Sequence, residues 1–333
     1  MKAKVCYQDH ERPLGHQSSR GLQDRYPKTH LSPKLKYPRK LFREMLDTIR
    51  YNSLREMAET VIDIPSGNYR SVGVELNPAG GLHTVPAGQP LSDPPRVFVK
   101  RDLLESAMGY LRDIKKPFHL LTGSSDLDGC ASPELAVWLR TNTNICSWTG
   151  TNLCEWFHWM LGVPIGLEER GRSGRAPEDF VKALKANSQD KDIDIYVPFF
   201  SPTHPSRADV IERLKKLGSA RVVFENTRLP FPRYIEQIAR SAFTVCPRGN
   251  GMDTVRAYEA ICFESIPVVF PSPITPMHRR LGFMIVSEPE EIVKLPEIPF
   301  CSIISKEDIS YSNIRALILK HQFRCYRVSH AQT

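Results

Sequence analysis

FTVCPRGNGMDTVRAYEAICFESIPVVF, Phe243 to Phe270, sets two apolar runs on either side of a loop with two glycines and a stretch carrying Arg256 and Glu259 three residues apart. FTVC (243–246) and IPVVF (266–270) are short, rich in β-branched and aromatic residues, and read as buried strands. Pro247 ends the first, because it cannot continue a hydrogen-bond ladder. Gly249 and Gly251 let the backbone turn and come close to a ligand, and Asp253 or Thr254 can cap a helix over 253–263. Amides at such a helix start, with the positive end of its dipole, form a site for phosphate. Arg256 in the first turn adds a bidentate, always-charged contact to a diphosphate. Glu259, on the same helix face, can accept both hydroxyls of a ribose. The same residues also fit a tight turn followed by a surface ion pair of little energy. The spacing is neither GxGxxG nor a Walker loop, so neither NAD(P) nor ATP is signalled.

Around this stretch the chain alternates. A helix at 177–187, a strand at 194–199, a helix at 206–217, a strand at 220–225 and a helix at 231–240 lead into it, and FMIVS (283–287) adds a strand beyond. Strands alternating with helices of this length mean a parallel sheet covered by helices. The first half is less regular. Leu41, Met45, Ile49, Leu54, Met57 and Val61 have helical spacing, and 77–95 reads as a long loop. VFVK (97–100), PFHLLTG (117–123), NICSWT (144–149) and VPIGL (163–167) read as strands, and DLLESAMGYLRDI as a helix with Asp102 near its start. Apolar character is lost over EERGRSGRA (168–176), the candidate junction, and RALILKHQF reads as a terminal helix. The expected architecture is α/β, two units facing a cleft.

The length of 333 residues fits two domains of roughly 150 residues. No apolar run approaches the length of a transmembrane helix, and MKAKVCYQDHERPLGHQ has no apolar core of a secretory signal. Cytoplasmic residence, of a cell or of an infected host, is therefore the expectation. The eight cysteines form no CxxC pair and read as reduced thiols, and Cys and His do not pair at zinc-ligand spacing, so no metal is expected. The net charge of +8 is concentrated in residues 1–45, with 11 Lys/Arg against 4 Asp/Glu. This is either a solvated basic tail or a surface for nucleic acid or another polyanion, and no RNA-binding signature accompanies it.

SAFTVCPRGNGMDTVRAYEAICFESIPVVF resembles the signature segment of exostosin-like glycosyltransferases, in which a strand, a Pro-x-Gly loop, an Arg-x-x-Glu-Ala helix and an Ile-Pro-Val strand follow in that order. LPFPRYIEQIARSAF before it and PSPITPMHRRLGF after it are similar to the same pattern. The likeness is dense over residues 221–287 and sparser upstream, at PFHLLTGSSDLDG and VPIGL. The resemblance implies a GT-B architecture of two Rossmann-like domains facing a cleft; with the composition and the junction above, this gives a basic arm (1–38), an acceptor-side domain (39–168), a nucleotide-sugar domain (169–305) and a helical segment (306–333). It also implies inverting, metal-independent transfer from a nucleotide sugar, UDP-sugar favoured over GDP-sugar, to a glycan hydroxyl. Animal and plant members are usually anchored in the secretory pathway, whereas a bacterial or large-virus enzyme is expected here.

Such a transfer needs a base for the acceptor hydroxyl and positive charge for the leaving diphosphate. The charge is expected from Arg256 and the 249–254 amides (Gly249, Asn250, Gly251, Asp253 and Thr254 included), with Arg248 and then Arg207 as further candidates. Asn226 and Arg228, after the 220–225 strand, are candidates for the base of the nucleotide. The catalytic base is sought in the first half. Asp126 leads, with Asp128 and Glu75 behind it, although an Asp there also suits a simple turn. His119 and His158, with Trp156, Phe157 and Trp159, read as core, and His278 as a residue bordering the cleft. The alternatives are a catalytically silent nucleotide- or polysaccharide-binding protein and nucleic-acid binding through the arm.

Overall fold

Helix α1 (Ser53–Glu56) precedes three strands, β1 (Thr60–Ile62), β2 (Leu82–Thr84) and β3 (Arg96–Lys100). A 3₁₀ turn at Arg101–Leu103 then opens α2 (Leu104–Asp113), and β4 (Phe118–Gly123), α3 (Pro133–Asn142), β5 (Ile145–Thr151) and β6 (Met160–Val163) follow. The computed structural model describes residues 53–58, 60–62, 82–84, 94–126, 132–168, 179–180, 182–183, 191–297 and 311–330. The first sheet runs β2-β1-β3-β4-β5-β6, parallel except for β2 against β1. All six residues of β4 are buried, as expected for a central parallel strand covered on both faces.

The second sheet is built from β7 (Ile193–Val197), α4 (Pro205–Leu217), β8 (Val222–Phe224), α5 (Phe231–Arg240), β9 (Ser241–Val245), α6 (Val255–Cys262), β10 (Ile266–Val269), α7 (Thr275–Arg280) and β11 (Met284–Ile285). Its order is β11-β10-β9-β7-β8, all parallel, so the winding reverses between β9 and β7. The fold is thus α/β with two Rossmann-like sheets in succession. Period-two alternation divides β7 between two cores: Tyr196 joins α6, while Ile195 and Val197 join α4. Local sequence sets the helix ends. Pro205 begins α4 and Gly218 (φ 58°) closes it in the left-handed region, where a side chain would strain the backbone.

Several expectations change. Of the helix expected over 41–61, Ser53–Glu56 is helical and Val61 lies in β1, while 41–52 lie outside the described residues; within the loop expected over 77–95, residues 82–84 form β2. Strand β6 ends at Val163, and VPIGL beyond it is mostly irregular. Helix α3 has no counterpart in the reading, although Ser132 accepting from Leu135 N (3.2 Å) and Pro133 in the first turn make a clear start signal. The terminal helix, α8 (Tyr311–His330), returns to the first sheet: Ile314 and Ile318 pack with Leu54, Phe98, Leu121, Leu161 and Val163. Each such buried aliphatic side chain contributes about 1.5–3 kcal/mol. Trp159 is core, but Trp156 (47% exposed) and His158 face outward. Cys146, Cys246, Cys262 and Cys325 are buried free thiols, whereas Cys154 is disulfide-bonded, which corrects the reading of the eight as reduced. Among the described residues no helix is long and apolar enough to cross a membrane. The arm 1–38, residues 169–176, most of 177–187, Glu75 and Asp128 lie outside the described residues.

Candidate functional site

A cleft of about 350 Å³ opens at the carboxyl ends of β7, β8 and β9. It straddles the point where the strand order reverses, which is where open α/β sheets bind ligands. The loops after β7 and β9 and the start of α6 line one side, and Asp126, Ile165 and Glu168 of the first half line the other.

Two arginines dominate the charge. Arg256, half-buried in the first turn of α6, donates from Nη2 to Phe199 O (3.1 Å) and from Nε to the Tyr234 hydroxyl (3.3 Å), and lies 4.8 Å over the Phe200 ring. Arg207 in the first turn of α4 is buried, donating to Arg248 O (2.8 Å) and Ser201 O (3.0 Å). Burial, reinforced by Arg256, lowers the pKa of Arg207 to about 10, which leaves it charged at neutral pH. Neither guanidinium forms an ion pair with a carboxylate among the described residues. Gly249 makes the close packing possible, since a Cβ there would stand 2.8 Å from Arg207 Nη2. Thr254 occupies the N-cap position of α6 without a side-chain cap, and Thr254, Val255 and Arg256 line the cleft, while Ala257 N donates to Thr254 O (3.0 Å).

Glu259, one turn along α6, is buried against the cleft and accepts from the Tyr234 hydroxyl at 2.6 Å. One phenol therefore bridges Arg256 and Glu259 and fixes their separation. Burial and the Glu259 charge push the Tyr234 pKa well above its usual value, so the bridge carries a proton.

Asp253 lines the cleft, while its side chain is held by protein partners and the N-cap position falls to Thr254. It is fully engaged inward: Oδ2 accepts from Ile165 N (2.9 Å) and Tyr258 OH (2.6 Å), and Oδ1 from Thr254 N (2.9 Å), with His278 Nε2 at 3.3 Å. Its own N–H donates to Asn152 Oδ1 at 2.7 Å. Asn152 stands in the left-handed region (φ 52°) directly after β5, and a Cβ on Gly251 would meet its side chain at 2.9 Å. Gly251 is thus needed for contact with Asn152, and Asp253 ties the loop to the first half.

Asp126 follows β4 in a turn whose Ser124 is also left-handed (φ 55°) and whose Ser125 hydroxyl donates to Asp102. The turn brings Asp126, the leading candidate base, into the same cleft as Arg256 and Glu259. His119 Nδ1 sits 2.8 Å from Ser147 Oγ inside the first core, as read. His278 is buried beneath the loop, stacked on Phe283 (4.8 Å), and does not reach this cleft.

The remaining candidates separate. Asn250 and Arg228 line the cleft. Asn226 is exposed, takes a hydrogen bond from Lys215 Nζ (2.8 Å) and does not line it. Arg248 turns to a second cleft of about 300 Å³ on the far side of the loop, donating to Gly249 O (3.4 Å) and Asn250 O (3.2 Å). Adjacent positions in an extended loop project to opposite sides, which a motif alone does not resolve. Tyr234, Tyr196, Phe200 and Asn152 were not expected at the site. For Tyr196 the signal was a polar-tipped residue near the carboxyl end of an apolar strand. Among the described residues no three His, Cys, Asp or Glu side chains are grouped so as to hold a metal ion.

No family model matches the sequence, and a search of curated proteins found no match. Among solved structures, that of an α1,3-fucosyltransferase with GDP-fucose is similar over 68% of this chain and 77% of its own, at 11% identity and a TM-score of 0.37.

Proposed function

We propose that this chain is a glycosyltransferase of the exostosin-like, GT-B kind, moving a sugar from a nucleoside-diphosphate donor, UDP-sugar favoured over GDP-sugar, to a glycan hydroxyl. One observation carries the reading: two guanidiniums without a described carboxylate partner and an uncapped helix start share a cleft with Glu259 and, from the opposite half, Asp126. Such a cleft suits an anion of more than one charge together with a hydroxylated group.

In the proposed reaction Asp126 takes the acceptor proton as the acceptor oxygen bonds to the anomeric carbon. The bond from that carbon to the diphosphate oxygen breaks on the opposite face, and the diphosphate leaves with the electron pair. The configuration inverts. Arg256, Arg207 and the first-turn amides of α6 offset the charge that develops on the diphosphate, while Glu259, set by Tyr234, receives the ribose hydroxyls. Metal independence belongs to the same proposal, with side chains supplying the positive charge.

The test is a thermal-shift screen of the full chain with UDP, GDP and their sugars, followed by transfer assays with EDTA. A ligand that binds only the folded state raises the melting temperature. Asp126→Asn should keep nucleotide binding and lower transfer by roughly 10²–10⁴-fold. Unchanged transfer would remove Asp126 as the base, and strict metal dependence would remove the charge arrangement. Nucleotide binding without any transfer would leave a silent binding protein.

A further inference from the structure

Tyr196 is fully buried on β7, beside the reversal of strand order, with its ring packed in the core under α6. Its hydroxyl has no hydrogen-bond partner among the described residues, yet the residue lines the cleft alongside Arg256 and Glu225. The other two phenols packed around α6 are engaged: Tyr258 donates to Asp253 Oδ2 (2.6 Å) and Tyr234 to Glu259 Oε2 (2.6 Å). A buried hydroxyl without a partner is uncommon in a folded protein and costs stability. Phenylalanine would fill the same space without that cost, so packing alone does not account for the hydroxyl.

We infer that Tyr196 is a ligand-binding residue whose hydroxyl donates a hydrogen bond to a phosphate oxygen of the bound nucleoside diphosphate. The inference rests on the nucleotide reading of the cleft and extends it to a residue outside the glycine loop and α6. The donor sense follows from the surroundings. Burial, then the charge of Glu225, push the phenol pKa above its usual value although Arg256 acts the other way, so the oxygen keeps its proton. Arg256 in the same cleft draws an anion toward that proton.

A ligand-facing hydroxyl and a structural one make opposite predictions for Tyr196→Phe. If the hydroxyl waits for a ligand, the variant without nucleotide melts at or above the wild-type temperature, while affinity for UDP or GDP falls roughly tenfold. Inorganic pyrophosphate, which has no nucleoside, should lose affinity by a similar factor. Tyr258→Phe is the contrast: it breaks an existing bond to Asp253 and should lower the melting temperature without ligand. Titration calorimetry and thermal shift on the full chain supply both readouts. A Tyr196→Phe protein that binds UDP, GDP and pyrophosphate as tightly as wild type overturns the inference. So does one that melts well below wild type without ligand. Loss toward UDP or GDP with pyrophosphate binding intact overturns the phosphate assignment. Wild-type protein that responds to none of the three overturns the nucleotide reading itself, a result distinct from the others.

Discussion

Arginines at the perimeter of the second sheet and those in its cleft are held in different ways. Arg213 donates to Glu290 (2.9 Å) and Glu288 (2.6 Å), Arg240 to Asp192 (2.8 Å) and Arg280 to Glu155 (2.7 Å). Arg207 and Arg256 are held instead by the carbonyls of Ser201, Arg248 and Phe199 and by the Tyr234 hydroxyl. Carboxylates neutralise the perimeter cations locally, whereas carbonyls and a phenol orient the cleft cations and leave their charge in place. Burying a cation opposes folding, as the pKa of Arg207, lowered first by burial and then by Arg256, records. Orientation without neutralisation is what a site for a mobile anion requires.

The largest effect is expected where that distinction is strongest. Arg256→Lys keeps the positive charge but removes the planar fork that reaches Phe199 O and Tyr234 together. Affinity for UDP or GDP should fall on the order of 100-fold, because charge-assisted bidentate contacts are among the strongest polar ones. Titration calorimetry reads the loss. A lysine protein binding within about threefold of wild type would mean that charge alone suffices and that the carbonyl-held geometry is incidental.

How much of this was legible in the sequence follows from the range of each signal. Helix 231–240, the strands around residues 243–246 and 266–270, and the neighbourhood of Arg256 and Glu259 depend on local spacing, and the structure reproduces them. Cooperation between Asp126 and a loop more than a hundred residues later was legible only as an expectation drawn from the resemblance. The structure brings both into one cleft, and their roles remain part of the proposal. The tie that Asp253 makes is not legible locally, because its partners, Ile165 N and Asn152 Oδ1, come from the first half. Nothing within DTVRAYE distinguishes a cap from a tie between halves. Arg248 and Asn226 do not line this cleft, for a similar reason: direction in a loop is set by packing, not by residue type. Tyr234 is a long-range case as well, since its bridge joins α5 to α6.

An intermediate effect, of another kind, is expected at Arg280. Its guanidinium is clamped by Glu155 and also donates to Gly162 O (3.0 Å), so it joins α7 to the segment around β6. Glu155 in turn accepts from Gly162 N at 2.8 Å, where a Cβ would meet Leu153 O at 2.7 Å. Arg280→Met should lower stability by about 1 kcal/mol, or about 2–4 °C in melting temperature, through loss of a half-exposed pair and one carbonyl contact. Nucleotide affinity should stay within about threefold of wild type. A loss of affinity like that of Arg256→Lys would show that perimeter and cleft arginines act as one network, and the comparison would fail.

The smallest effect belongs to Arg213. It lies on α4 and ties that helix to Glu288 and Glu290, beyond β11, with about a third of its side chain exposed. Exposed pairs contribute roughly 0–1 kcal/mol, and salt screens what they do contribute. Arg213→Gln should shift the melting temperature by less than about 3 °C at low ionic strength. In about 1 M NaCl, where the screening length is about 3 Å, even that difference should vanish. Nucleotide affinity should not change. The salt arm is the discriminating one, since a neutralised surface cation loses its influence on screening while an anion held in the cleft by oriented cations is screened less. If Arg213→Gln weakens UDP or GDP binding at low salt, the field of the whole positive face guides the ligand, and carboxylate pairing does not separate the two groups of arginines.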